Sequence, residues 1–239
     1  MSQDTVLARQ APVFSVLSAL LGYPEQAFIE ALPELSEALP AEIRQVLAPV
    51  FEHLQGTTDL IDLQEHYVAT FDRRAAHSLH LFEHVHGESR DRGQAMVDLQ
   101  HEYLKHGLAP DTTELPDYVP LFLEFLGQIP PDAADALLGD AIHVLARLGD
   151  KLAESQSPYA CIFVQLRSMT DVQPEALPEP PEGALEETMI TFGAQAEGLE
   201  TPAMLQPQYA PPPPPRPADG QRVVIRAPRR RDASAADPV

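Results

Sequence analysis

The sequence predicts an all-α protein, with a single globular helical domain over residues 1–171 and a mostly disordered, Pro-rich tail over residues 172–239. Apolar residues recur at three- and four-residue spacing between helix start and stop signals. The only convincing period-two run is Arg222 to Arg226, and with no tryptophan and 6 % aromatics the chain lacks the material of an aromatic-rich sandwich or barrel. Charge and proline also divide the chain. Residues 1–171 hold 10 basic and 26 acidic side chains with 11 of the 25 prolines, and residues 172–215 hold no basic and seven acidic side chains with 11 prolines. Residues 216–239 reverse the sign, with six arginines against three aspartates. A segment with so few apolar groups cannot recover its ordering entropy by burial. Within it, only Leu185 to Phe192 has the composition to dock.

The helices follow in order. Val13, Phe14, Leu17, Leu20 and Leu21 share one face of a first helix that Gly22 and Pro24 stop. Two shorter helices are expected from Glu25 to about Leu39 and from Ala41 to Leu54, with Pro33 and Pro49 as bends or boundaries. Asp59 is placed to cap a helix carrying Leu60, Leu63, Tyr67 and Phe71 on one side. Ser89 opens a helix through Ala95, Met96, Leu99 and Tyr103 that Gly107 ends. Residues 117–129, with Asp117 as N-cap, are almost wholly apolar and predict a central helix buried on several sides. Asp132 then caps a long helix to about Glu154, and Ser157 with Pro158 opens the last, Tyr159 to Met169.

The formal charge of −20, from 16 basic and 36 acidic residues, repels nucleic-acid phosphates and anionic headgroups. No apolar run reaches the ~18 residues of a membrane span, and the first ten residues lack the cationic and apolar parts of a secretory signal. Cys161 is the single cysteine and can form no internal disulfide. Cytoplasmic localisation, without membrane insertion or nucleic-acid binding, is the expectation.

Six of the nine histidines lie between His77 and His106, and His80-Leu-Phe-Glu83-His84 spells the H-x-x-E-H pattern of inverted zinc peptidases. On a helix, His80 and His84 would face one way and Glu83 could activate a water. A small zinc-dependent hydrolase is therefore the alternative reading. It requires a third ligand, for which Glu124 or Glu154 could be named only arbitrarily, and a longer helix than Gly87 permits. Cys161 sits in an apolar stretch with no neighbouring base and reads as a small core residue. No phosphate-cradling glycine motif is present. Thus no catalytic residue and no metal site is assigned. Two segments join charge to apolar bulk: Glu88 to Gln94, with the scarce cations Arg90 and Arg92, and Glu114 to Glu124, where a buried Glu124 would need a partner.

Three stretches read together carry a resemblance: Tyr67-Val-Ala-Thr-Phe71-Asp72, the nineteen residues Ser78 to Met96, and Glu114 to Leu126. They closely resemble the molybdenum-cofactor assembly chaperones of respiratory nitrate reductase, the NarJ type of the TorD-like redox-enzyme maturation proteins. The likeness spans about residues 6–170 and accounts for the H-x-x-E-H string without a metal. It implies an all-helical cytoplasmic chaperone that is no enzyme. The client would be the immature catalytic (alpha) subunit of respiratory nitrate reductase, bound notably at its N-terminal peptide. The chaperone would permit insertion of the molybdenum bis-pterin guanine dinucleotide cofactor before membrane docking, and would hold no cofactor permanently. The wider family's E-x-P-D-H motif is met at Glu114, Pro116 and Asp117, with Tyr118 where histidine is usual. The expected partner-binding residues are Phe71, Asp72, His80, Phe82, His84, Glu88, Arg90, Arg92, Glu114, Pro116, Asp117, Tyr118 and Glu124, converging on one groove. The Pro-rich, Arg-terminated tail lies outside the resemblance.

Overall fold

A computed structural model describes residues 10–57, 59–86, 90–110, 114–177 and 223–225. Its organising element is the apolar helix expected at the centre, α8 (Val119–Leu126), in which every residue except Glu124 is buried. A helix apolar on all sides has to be surrounded. Helix α1 (Gln10–Leu20) packs along α8, and the Ser18 hydroxyl donates to the Pro120 carbonyl over 2.7 Å. Helices α2 (Gln26–Glu37), α3 (Ala41–Val46), α4 (Ala48–Gly56) and α5 (Leu60–Tyr67) follow α1. The second short helix expected from residue 41 is thus two, divided at Leu47, because Pro49 lacks the amide that would continue the first. Pro33 is accommodated inside α2. Asp59 caps α5 as expected, accepting the Ile61 amide at 2.8 Å.

After α5 the backbone widens into a π-helical turn, Val68–Asp72, which buries Phe71, and a 3-10 turn, Ala75–His77, follows. Next come the short α6 (Glu83–His86) and the long α7 (Arg90–Lys105), which turns into β1 (Leu108–Pro110) at Gly107, where φ is +74°. Glycine adopts that left-handed conformation without steric cost. Helices α9 (Pro131–Glu154) and α10 (Ala160–Arg167) pack against each other closely. Their closeness depends on Gly149, where a Cβ would fall 2.6 Å from the Phe163 Cβ. Residues 171–177 continue along α9. Val172 lies over Gly139, the Glu175 amide donates to His143 Nδ1 at 2.9 Å, and Leu177 packs on the core. The helical body therefore carries an extended strap beyond residue 171.

Two expected caps are replaced. Helix α9 begins at Pro131 with Pro130 as N-cap, leaving Asp132 in the first turn, and α8 has Tyr118 as N-cap with no side-chain cap bond. The Ser89 cap and the Leu185–Phe192 segment lie outside the described residues. The tail contributes one described element, β2 (Val223–Ile225), paired in parallel with β1. No helix among the described residues is long and apolar enough to cross a membrane.

The contact at Gly149 generates a prediction. Gly149→Ala forces α9 and α10 apart and lowers unfolding stability by about 1–3 kcal/mol, the usual cost of overpacking, as measured by urea denaturation.

Candidate functional site

The segment Ser78–Phe82 runs antiparallel to Asp117–Val119. The Val119 amide donates to the Leu79 carbonyl at 2.8 Å, and the Leu81 amide donates to the Asp117 carbonyl at 3.0 Å. His80 faces Tyr118 across this bridge. The Asp117 carboxylate is fully buried, and a buried carboxylate requires donors. His80 Nδ1 lies 3.1 Å from its Oδ1, the Phe82 amide donates to its Oδ2 at 3.2 Å, and an Arg92 guanidinium nitrogen stands 3.8 Å from Oδ2. The same Arg92 nitrogen donates to Glu83 Oε1 at 3.0 Å. Asp117 thus joins a loop, the entry to α8 and the first turn of α7.

Asp117 does not cap its own helix as expected; its carboxylate reaches across to the Phe82 amide. The Tyr103 hydroxyl donates to the Pro116 carbonyl at 2.6 Å. Burial, with the negative charge of Asp117, raises the Tyr103 pKa and keeps this phenol a donor. Tyr118 is fully buried, and its ring lies 5.5 Å from that of His80. Its hydroxyl is 3.4 Å from that of Tyr67. Since Tyr67 donates its only hydroxyl proton to the Leu21 carbonyl at 2.9 Å, Tyr118 donates to Tyr67. The tyrosine in place of histidine thereby links the clasp to the end of α1. Phe71 closes an aromatic cluster, with Tyr67 and Tyr159 each 4.9 Å away.

The H-x-x-E-H string does not lie on one helix. His80 is extended, and the helix starts only at Glu83, so His80 and His84 take different partners. The His84 Nε2–H donates to the Ser78 carbonyl at 2.8 Å. Burial lowers the His84 pKa, opposed by the Ser78 carbonyl and by the charge of Glu83. Among the expected partner-binding residues, Phe71, His80, His84, Asp117 and Tyr118 are enclosed. They brace the structure rather than line an open groove. Phe82, Arg92, Glu114, Pro116 and Glu124 are half-buried and Asp72 is exposed, while Glu88 and the Arg90 side chain lie outside the described residues.

Open concave surface occurs elsewhere. Between α1, α2 and α8 lies a cleft of about 300 Å³, with Ala19, Tyr23 and Phe28 as its apolar part and Glu25 and Glu124 as its acidic part. A second cleft, of about 630 Å³, lies along α5 and carries Ile61, Val68, Asp62, Glu65 and Arg73. Tyr23 lines both. Of these residues the motif reading found only Glu124. Tyr23 gave a weak signal, an aromatic between the helix-stopping Gly22 and Pro24, and Ile61 gave another, an apolar residue beside a cap and 62 % exposed.

A solved structure from Archaeoglobus fulgidus described as a candidate redox enzyme maturation protein shares the helical fold, with a TM-score of 0.51 at 20 % identity, over 66 % of this chain and 91 % of the other. The family model described as nitrate reductase delta subunit matches residues 26–165, and the chain belongs to that family. The nitrate reductase molybdenum cofactor assembly chaperone NarJ of Escherichia coli K12 is 46 % identical over 154 residues, 62 % of this chain and 65 % of the relative. The NarW chaperone of the same strain is 44 % identical over 63 % of this chain and 64 % of its own length. A NarJ of Bacillus subtilis is 33 % identical over 62 % of this chain and 82 % of its own. The aligned region spans just under two thirds of the Escherichia coli relatives. All three are named as assembly chaperones and none as a catalyst.

Two predictions arise here. Asp117→Ala leaves His80, Arg92 and the Phe82 amide without their buried acceptor and lowers stability by about 3–5 kcal/mol in urea unfolding. Asp117→Asn costs less, because its amide oxygen still accepts from Phe82. The second prediction concerns pH. Burial lowers the folded-state pKa of His84, of His66 and of His53, the last also through the charge of His66, below the ordinary 6.5. The unfolded chain therefore takes up these protons first. Stability is complete above the unfolded value and is lost as pH falls below about 6.5 towards the folded pKa values. The denaturation midpoint drops between about pH 7.5 and 5.5. It drops less in His84→Gln, whose amide can still donate to Ser78.

Proposed function

We propose that this chain is a cytoplasmic maturation chaperone for respiratory nitrate reductase. It binds the immature catalytic subunit through that subunit's N-terminal segment and holds it while the molybdenum bis-pterin guanine dinucleotide cofactor is inserted, before the complex docks at the membrane. The cofactor is cargo for the client. The observation that carries this reading is the family match over residues 26–165, supported by the names of the relatives.

The geometry supports a binding role in a specific way. The clefts on either side of Tyr23 combine apolar floor with the carboxylates of Glu25, Glu124, Asp62 and Glu65. An amphipathic segment with basic residues fits such a surface, its apolar side chains on Phe28 and Ile61 and its cations at the rims. The enclosed residues of the three motif stretches, Asp117, His80 and Tyr118, then act as positioning residues. They fix α8, and with it Glu124, against α1. The half-exposed edge formed by Phe82, Arg92, Glu114 and Pro116 is a second contact for the folded part of the client.

Titration of a synthetic N-terminal peptide of the nitrate reductase catalytic subunit tests this. Tyr23→Ala and Glu124→Lys in the full chain weaken binding at least about tenfold, a loss of about 1.4 kcal/mol, with the circular dichroism spectrum unchanged. Affinity equal to wild type in both variants removes the peptide from these clefts. Failure to recover nitrate reductase subunits in a pull-down from nitrate-respiring cells removes the chaperone assignment itself.

A further inference from the structure

Among the described residues, β1 is the strand that the helical body offers for backbone pairing. Gly107 turns the chain out of α7 into β1, where Leu108 is buried while Ala109 and Pro110 are half-buried. An open strand edge exposes unpaired amides and carbonyls, and such edges recruit other strands. The strand on this edge is the chain's own β2, in parallel register with Leu108 opposite Val223, Ala109 opposite Val224 and Pro110 opposite Ile225. β2 also lies against α8, the apolar helix of the core.

We infer that the β1 edge is a strand-addition slot whose occupant is the C-terminal segment centred on Val223–Ile225, held reversibly and by charge as well as by pairing. The segment reads Arg222-Val-Val-Ile-Arg226, three consecutive β-branched residues between arginines. Val and Ile are the residues that favour a pleated strand against an apolar surface. Its surroundings in sequence are cationic, with six arginines and three aspartates over residues 216–239, whereas residues 1–171 carry 26 acidic against 10 basic side chains. Opposite fields steer the two together and weaken with salt.

Three paired residues are too few to hold a strand by themselves, as even an isolated two-stranded hairpin is marginal in water. Tethering makes the difference. The 45 residues between Leu177 and Val223 span at most roughly 150 Å when fully extended, enough to reach any face of the body. A tether that can span its sites raises the local concentration of the strand to about millimolar. Docking that depends on tethering is docking that another extended segment of the same chemistry, apolar between basic residues, can replace.

Hydrogen exchange on the full chain, wild type against Val224→Asp, tests the docking. Amide exchange in fragments covering Gly107–Pro110 accelerates at least about tenfold in the variant, and in wild type it accelerates as salt is raised. A second measurement is independent of that substitution. Neighbouring strands lie ~4.8 Å apart, within the 4.4–6.8 Å Cα separation of disulfides, so Ala109→Cys with Val224→Cys oxidises to an intramolecular cross-link. Cys161 does not compete, because burial pushes its thiol up to about 11. Finally, a synthetic peptide of residues 219–230 added in trans binds Val224→Asp at least about tenfold more tightly than wild type, whose slot is filled. Equal exchange in the two chains together with no intramolecular cross-link overturns the inference. Equal affinity of the trans peptide for both chains overturns the replaceable character of the slot.

Discussion

A carboxylate cannot be taken fully out of water unless several donors are brought to it, and the Asp117 carboxylate is fully out of water. Much of the arrangement around α8 follows from that requirement. The loop Ser78–Phe82 must run beside the entry to α8 so that the Phe82 amide and the His80 ring can reach Asp117. The first turn of α7 must approach so that Arg92 can stand between Asp117 and Glu83. With those three segments fixed, Tyr118 is buried at the N-cap of α8 and its hydroxyl meets Tyr67, which in turn holds the end of α1. One ionic requirement therefore sets the position of the helix on which the core is built.

This explains why the central residues of what looks like a binding motif are enclosed. Charged and aromatic residues recurring in three distant stretches suggest a common surface, and the stretches do converge. They converge on Asp117, however, and the convergence engages His80, the Phe82 amide and one Arg92 nitrogen that a ligand would otherwise meet. Glu83 and Arg92 face each other, and His84 donates to a carbonyl six residues before it. What reaches solvent is the edge of the clasp, and the concave apolar surface lies around Tyr23 instead. The separation is physically reasonable: a rigid ionic clasp holds a helix still, while an apolar cleft with carboxylates at its rims can accept segments of varied sequence.

The all-helical class was legible because it rests on local chemistry. Asp59 caps α5 by a bond to a residue two positions away, and Gly107 ends α7 through its own backbone freedom. Where expectation and structure part around α8, a distant partner had intervened. Asp117 has the position of an N-cap, and local reasoning cannot see the Phe82 amide, 35 residues earlier, that takes its oxygen instead. His80 and His84 have helical spacing, but His80 is drawn into a bridge with Tyr118 and the helix begins only after it. The same limit hid the Tyr23 clefts, since a cleft is made by α1, α2, α5 and α8 jointly and Tyr23 carries no motif. The β1–β2 pair was half visible: the β-branched run within Arg222–Arg226 could be read as strand-forming, but the receiving edge at Leu108–Pro110 could not, because three residues after a helix have no periodicity to read.

The charge asymmetry of the chain acquires a structural sense from these placements. An acidic body with carboxylates at its cleft rims attracts basic segments in general, and the chain's own C-terminal region is basic. Left unmanaged, that attraction would draw six arginines towards those rims in no fixed register. A strand-pairing slot resolves this by geometry: backbone pairing at β1 has a register, whereas attraction between charges has none. Holding Val223–Ile225 at one edge restricts where the neighbouring arginines can lie. The acidity that draws basic segments to the body is therefore also what makes a specific parking place for its own tail useful.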